Sequence, residues 1–289
     1  MAVDHDRERK TSAASAGNAL AGTVLVIAPH MDDEALACGG LIATRPDPRK
    51  VHVVYATDGM KSPAPVVPWR DAITPDLGDT RCRESIAAMT LLGVPATNLH
   101  FLGLPEAELP QRFDALARGL RERISALQPD CILVPFRFDR HPDHLAVNRA
   151  VTDMVRGGMT RATLLEYFVY HRWRLLPRRD VRAYLRPENL LQLDIAGVAA
   201  RKRAALDCFK TQTTCYYDWQ TRPILQPALL DEECAAPERF LCYDSALPEA
   251  RVFTGWVTWI RIAHWLEPVL LRWKYLFKSW ALRAAGRQA

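Results

Sequence analysis

The sequence contains no Cys-x-x-Cys pair, and its cysteines are odd in number, seven in 289 residues. Neither a disulfide framework nor a thiolate zinc site suits that pattern. Reduced thiols are the simpler reading, and with them a cytoplasmic location. No apolar run opens the chain. Residues 1–21 begin MAVDHDRERKTSAASAG, which is polar and charged, and they read as a disordered leader, not a signal peptide. Internal repeats and low-complexity tracts are missing, which excludes an array of repeated units. A large excess of one charge is missing as well. Lys and Arg number 38 against 33 Asp and Glu, a net charge of +5. That surplus is too small to argue for nucleic acid as a partner.

What is present is ordinary globular composition, 49% hydrophobic and 25% charged. The length suits one large α/β domain, residues 22–245, followed by a tail over 246–289. Short apolar runs at 23–28 (TVLVIA), 51–56 (VHVVYA), 99–102, 131–135 (CILVP) and 164–170 read as buried strands. Helical patterns at 34–43, 81–92, 113–127 and 145–155 alternate with them. Such alternation predicts a Rossmann-like parallel sheet with helices on both faces. Residues 61–80, rich in Pro, Gly and Asp, read as a long loop of the kind that closes over a site.

Two polar clusters follow predicted strands: His30-Met31-Asp32-Asp33-Glu34 and His141-Pro142-Asp143-His144. Each alone has a bland explanation, since acids at a helix start can simply cap it. Two clusters at strand carboxyl ends fall where α/β sheets bind ligands. Catalytic zinc takes about three His or carboxylate ligands and keeps a position open. His30, Asp33 and one His of the second cluster meet that count. Asp32 beside them is a candidate base for an attacking water. His141, if protonated, could stabilise an oxyanion or supply a proton. Asp143 could orient an imidazole.

The residues resemble the PIG-L or LmbE-like deacetylases. Ala28-Pro29-His30-Met31-Asp32-Asp33-Glu34 is similar to the family's first signature, with Met31 where the family has Pro. His141-Pro142-Asp143-His144 is similar to its second, intact. Thr57-Asp58-Gly59, Arg81-Cys82-Arg83-Glu84 and Phe101-Leu102-Gly103-Leu104-Pro105-Glu106 resemble its intervening motifs. The resemblance implies a divalent metal, usually Zn2+, held by His30, Asp33 and His144. It implies Asp32 as general base, His141 as electrostatic catalyst or acid, and Asp143 tuning His141. The implied reaction is hydrolysis of the acetamide on an N-acetylglucosamine unit. A soluble N-acetylglucosaminyl thiol precursor or antibiotic glycoside is an alternative substrate. A non-catalytic sugar-binding module is a different class, disfavoured because binding needs no base.

Arg81 is a candidate substrate contact; a surface pair with Glu84 is the plain reading. Residues 136–140 are a candidate substrate wall, against core packing of the two Phe. Lys210-Thr211-Gln212-Thr213 stands where the family often has a Ser-Gln pair. Five of the eight Trp lie between Trp256 and Trp280, interleaved with basic residues. From Val269 the apolar residues repeat at helical spacing, as in an interfacial helix. The tail is expected to make peripheral contact with the inner membrane, near a lipid-linked sugar, or else to pack on its own sheet or a second subunit.

Overall fold

The computed structural model describes residues 13–64, 73–243 and 252–285. Of the leader expected over 1–21, Ala13–Ala21 forms helix α1 and buries Ala16 in the core, and the rest lies outside the described residues. A loop lid falls partly on residues 65–72, outside the described residues.

Seven strands form one sheet in the order β3-β2-β1-β4-β5-β7-β6. β1 (Val24–Ala28) is VLVIA, apolar at every position and buried on both faces. Alternate residues feed opposite layers. Val24, Val26 and Ala28 enter one core cluster, Leu25 and Ile27 the other. β2 (Val51–Thr57), β3 (Leu99–Leu104), β4 (Cys131–Pro135) and β5 (Thr163–Tyr167) join it in parallel. This is the parallel, doubly covered sheet expected from sequence. Two further strands depart from it. β6 (Leu190–Leu193) and β7 (Glu238–Cys242) add an antiparallel edge. β6 is only four residues long and half-buried, so no continuous apolar run announces it.

Helix α2 (Asp33–Thr44) follows β1, α3 (Leu77–Leu91) precedes β3, α4 (Phe113–Leu127) precedes β4, and α5 (Pro142–Arg156) follows β4. α3 starts earlier than the Pro-rich stretch suggests, and α5 starts at Pro142 because His141 is its N-cap. Pro suits the first helical position, where its missing N–H has no partner to lose.

From β1 the chain moves through β2 and β3 in one direction; from β4 it moves through β5 in the other. β1 and β4 are adjacent and in register, Val24 beside Cys131 and Val26 beside Leu133. Their carboxyl ends therefore open together at the switch point, where doubly wound sheets bind ligands.

Candidate active site

His30 and Asp33 arrive from the β1–α2 turn, His144 from the first turn of α5. His30 Nδ1 lies 3.3 Å from Asp33 Oδ2, and His144 Nε2 lies 3.3 Å from the same oxygen. The two ring nitrogens stand 3.1 Å apart. Tetrahedral ligand atoms about 2.0–2.1 Å from an ion would stand roughly 3.3 Å from one another. The three atoms thus have the spacing that one zinc-sized cation needs. His141 also offers a nitrogen, but the His30–His141–His144 set spreads to within 4.8 Å.

The far side of each imidazole is held by a carboxylate. His30 Nε2 donates to Asp143 Oδ2 at 3.2 Å, which keeps Nδ1 turned to the triangle. Asp143 also accepts the amides of Ala107 and Leu109. His144 Nδ1 faces Asp139 Oδ2 at 3.2 Å. Asp139 further accepts the His141 and Tyr170 amides. A carboxylate behind a ligating imidazole fixes its tautomer and raises its basicity. The Asp143 carboxylate thus lies nearer His30, at 3.2 Å, than His141, at 4.0 Å, the imidazole that the resemblance pairs with it. In the sequence Asp139 stood only within the candidate wall over 136–140 and at the start of the second polar cluster, with no role of its own; the structure sets it behind His144.

The charge state follows from this packing. Burial works against protonating His30, yet Asp143 and Asp33 outweigh it and hold its pKa up to about 9. Burial likewise opposes charge on His144, and Asp139 and Asp33 raise it well above the ordinary value. Burial would raise Asp33, but His144 and His30 bring it below the usual carboxylate range. A buried donor set this acidic accepts positive charge, as a divalent-ion site must.

Asp32 stands beside the triangle. Burial pushes its pKa up to about 7, against the lowering effect of Arg81, with Asp33 raising it further. Its backbone has φ 148°, rare for a residue with a side chain. Glu34 holds it there: Oε2 accepts the Asp32 amide at 3.1 Å, and Oε1 accepts the Tyr55 hydroxyl at 2.9 Å. Met31 keeps the turn's spacing and is fully buried.

His141 is lowered to about 3 by burial and by the neighbouring His30 and His144. That direction favours the neutral imidazole over the protonated one. Its Nδ1 accepts the Asp143 amide at 3.2 Å, so the ring proton sits on Nε2. Tyr170 flanks the cluster, its ring 5.4 Å from that of His144.

Arg81 is 1% exposed, which removes the surface pair with Glu84. Its Nη2 donates to the Met31 carbonyl at 2.9 Å, and Nη1 lies 3.5 Å from Glu106 Oε2. Gly59, at φ +69°, is where the chain passes close: a Cβ there would meet Met31 Cε at 3.0 Å and Arg81 Cδ at 3.1 Å. Glu84 instead accepts the Thr211 amide and hydroxyl, and Gln212 donates to the Ser62 carbonyl. Asp58 closes its own turn, accepting the amides of Met60 and Glu106. The wall expected over 136–140 is core and ion pairs. Phe136 and Phe138 are buried, Arg137 pairs with Glu166, and Arg140 pairs with Glu267.

Comparison with known proteins agrees with this architecture. A 2'-N-acetylparomamine deacetylase of Streptomyces fradiae is 27% identical over 213 residues, 66% of this chain and 74% of that protein. The N,N'-diacetylchitobiose deacetylase of Pyrococcus horikoshii matches with a TM-score of 0.55 at 20% identity, covering 76% of this chain and 83% of the other. The A40926 pseudoaglycone deacetylase Dbv21 matches at 0.54 and 21%, covering 78% and 99%. These two likenesses speak for the fold. The model of the PIG-L family, GlcNAc-PI de-N-acetylase, matches residues 25–155, a span that contains both polar clusters.

Proposed function

We propose that the protein is a metal-dependent deacetylase that hydrolyses the acetamide of an N-acetylglucosamine-type conjugate, giving acetate and a free amino sugar. One observation carries the reading: three ligand atoms at 3.1–3.3 Å spacing, with the Asp32 carboxylate beside them. His30 Nδ1, Asp33 Oδ2 and His144 Nε2 would hold the ion, Zn2+ or another divalent metal. When bound, it supplies Lewis acidity to the acetamide carbonyl and the attacking water.

The remaining work falls to the chain itself. Asp32, with a pKa near neutrality, takes the proton of the attacking water. The oxygen–carbon bond forms, and the Nε2–H of neutral His141 donates to the developing oxyanion. The carbon–nitrogen bond then breaks, and protonated Asp32 returns its proton to the departing amine. Asp143 and Asp139 hold the two imidazoles in their tautomers. Arg81 and Glu106, side by side and buried, form the polar wall nearest Asp32 and are the candidate contacts for sugar hydroxyls.

The favoured conjugate is lipid-linked, because of the aromatic tail, and the favoured location is cytoplasmic at the inner membrane face. The relative that acts on 2'-N-acetylparomamine favours a second reading, a soluble antibiotic-type glycoside. Metal analysis with acetate release from a panel of soluble and lipid-linked N-acetylglucosamine conjugates tests both. Absence of acetate release across the panel with a divalent ion bound would sink the assignment.

A further inference from the structure

Helix α6 (Val257–Ala285) is anchored to the domain near its start. Ile260, Ala263 and Glu267 are buried against the domain. Along the same helix Trp265, Leu270, Trp273, Leu276, Phe277 and Trp280 are 51–69% exposed. At 100° per residue these six fall within an arc of about 140°, and the buried positions cluster in the adjoining arc. A continuous exposed stripe of this size marks an interaction surface.

Charge selects its partner. Over residues 257–289 the sequence has six basic residues, Arg261, Arg272, Lys274, Lys278, Arg283 and Arg287, and one acid, Glu267. That acid is spent internally: Glu267 Oε1 lies 3.0 Å from Arg140 Nη2 and accepts the Arg174 amide at 3.1 Å. Two copies pairing through this stripe would bring like charges together. A bilayer with anionic headgroups meets both the apolar stripe and the basic flanks. Trp is suited to that boundary because its ring is apolar and its N–H is polar. No helix among the described residues is long and apolar enough to cross a membrane, so α6 would lie in the interface.

We propose that α6 docks this enzyme on an anionic bilayer surface and that its root fixes the site relative to that surface. This names a partner for the deacetylase reading and rests on that reading for the chemistry. The root is the Glu267–Arg140 pair, and Arg140 sits between Asp139 and His141. His264 of the same helix packs edge-on against Phe138 and stacks on Trp173. The docked helix is therefore bolted to the loop that carries the second cluster.

The test is flotation of the full chain with phosphatidylcholine vesicles, with and without phosphatidylglycerol. The comparison is the combined variant Trp265→Glu, Trp273→Glu and Phe277→Glu, none of which touches the site. The expected result is flotation with the anionic vesicles, weaker by roughly tenfold or more with neutral vesicles or raised salt. The variant loses flotation while keeping its melting temperature and its acetate release from a soluble N-acetylglucosamine conjugate. Equal flotation of both proteins overturns the proposal. So does a dimer in sedimentation velocity that the variant dissolves while neither protein floats. Flotation as expected without acetate release from either protein leaves the docking standing and removes the deacetylase reading.

Discussion

The Arg81 guanidinium holds the Met31 carbonyl at 2.9 Å and stands 3.7 Å from Asp32 Oδ2. One buried cation thus fixes the turn that presents Asp32, the proposed base, and steadies its charge. Burial alone would keep Asp32 neutral. Arg81 is the larger of the lowering influences, with His30 the other, that hold it at about 7.

This gives a pH prediction for Arg81→Met. A general base works ionised, so the rate rises with pH through the Asp32 pKa. Removing the positive charge raises that pKa, so the rising limb of kcat/KM moves to higher pH. A shift of about one unit or more is expected. Arg81→Lys keeps the charge but not the planar donor, so its limb should move less while its rate still falls. An unmoved limb in Arg81→Met would separate Arg81 from the base.

Asp32 itself gives a paired prediction. Asp32→Asn should retain metal and lose about 10²–10⁴-fold in kcat, the scale of general base catalysis. Asp32→Gly should lose activity equally. Glycine adopts φ 148° freely, so releasing about 1–3 kcal/mol of backbone strain offsets the lost side-chain contacts. The urea midpoint of the glycine variant is therefore expected at or above that of the parent. A clearly lower midpoint would mean that the turn is not strained.

Metal retention should depend on Asp139 as well as on the ligands. His144→Ala removes a ligand and should empty the site. Asp139→Asn leaves three ligands but weakens the support behind His144, at a cost of about 10–100-fold in affinity. Protons and metal compete for the same nitrogens, and both His30 and His144 have raised pKa values. Affinity should therefore climb as pH rises toward about 9 and fall on acidification. Competition with a fluorescent chelator across pH measures both effects; a pH-independent Kd would rule out His30 and His144 as ligands.

How much of this was legible follows the range of the interactions. β1 and β4 announced themselves because strands buried on both faces must be apolar throughout, and the clusters at their ends were local strings. The pairing of the two strands followed from the switch-point rule. Contacts spanning long loops left less trace. Asp139 reads as one more loop acid until the fold brings His144 against it. Arg81 looked like half of an i,i+3 surface pair, and only the packing of α3 against the β1 turn reveals its burial. β7 was hidden for a similar reason, since it opens with Glu238 and Arg239, charges that a buried strand seldom carries.

Glu238 shows what that hidden strand does, and it supplies the last prediction. It is 5% exposed and accepts the amides of Gly40 and Leu41 at 2.6 and 2.7 Å. Lys202, fully buried, donates to it at 2.8 Å. β7 thereby grips the middle of α2, the helix whose first turn contains Asp33 and Glu34. Lys202→Met leaves a buried carboxylate unpaired and should cost about 3–5 kcal/mol. Adding Glu238→Gln removes the stranded charge and should restore part of that loss. Gly40→Ala attacks the same grip by volume, because its Cβ would lie 2.3 Å from Ile195 Cγ2 and 2.9 Å from the Glu238 carboxyl carbon. A loss of about 1–3 kcal/mol is expected, with weaker metal retention because α2 shifts. Urea unfolding of the four proteins with bound-metal analysis checks this. If Lys202→Met unfolds at the parent's midpoint, the pair does not anchor the helix.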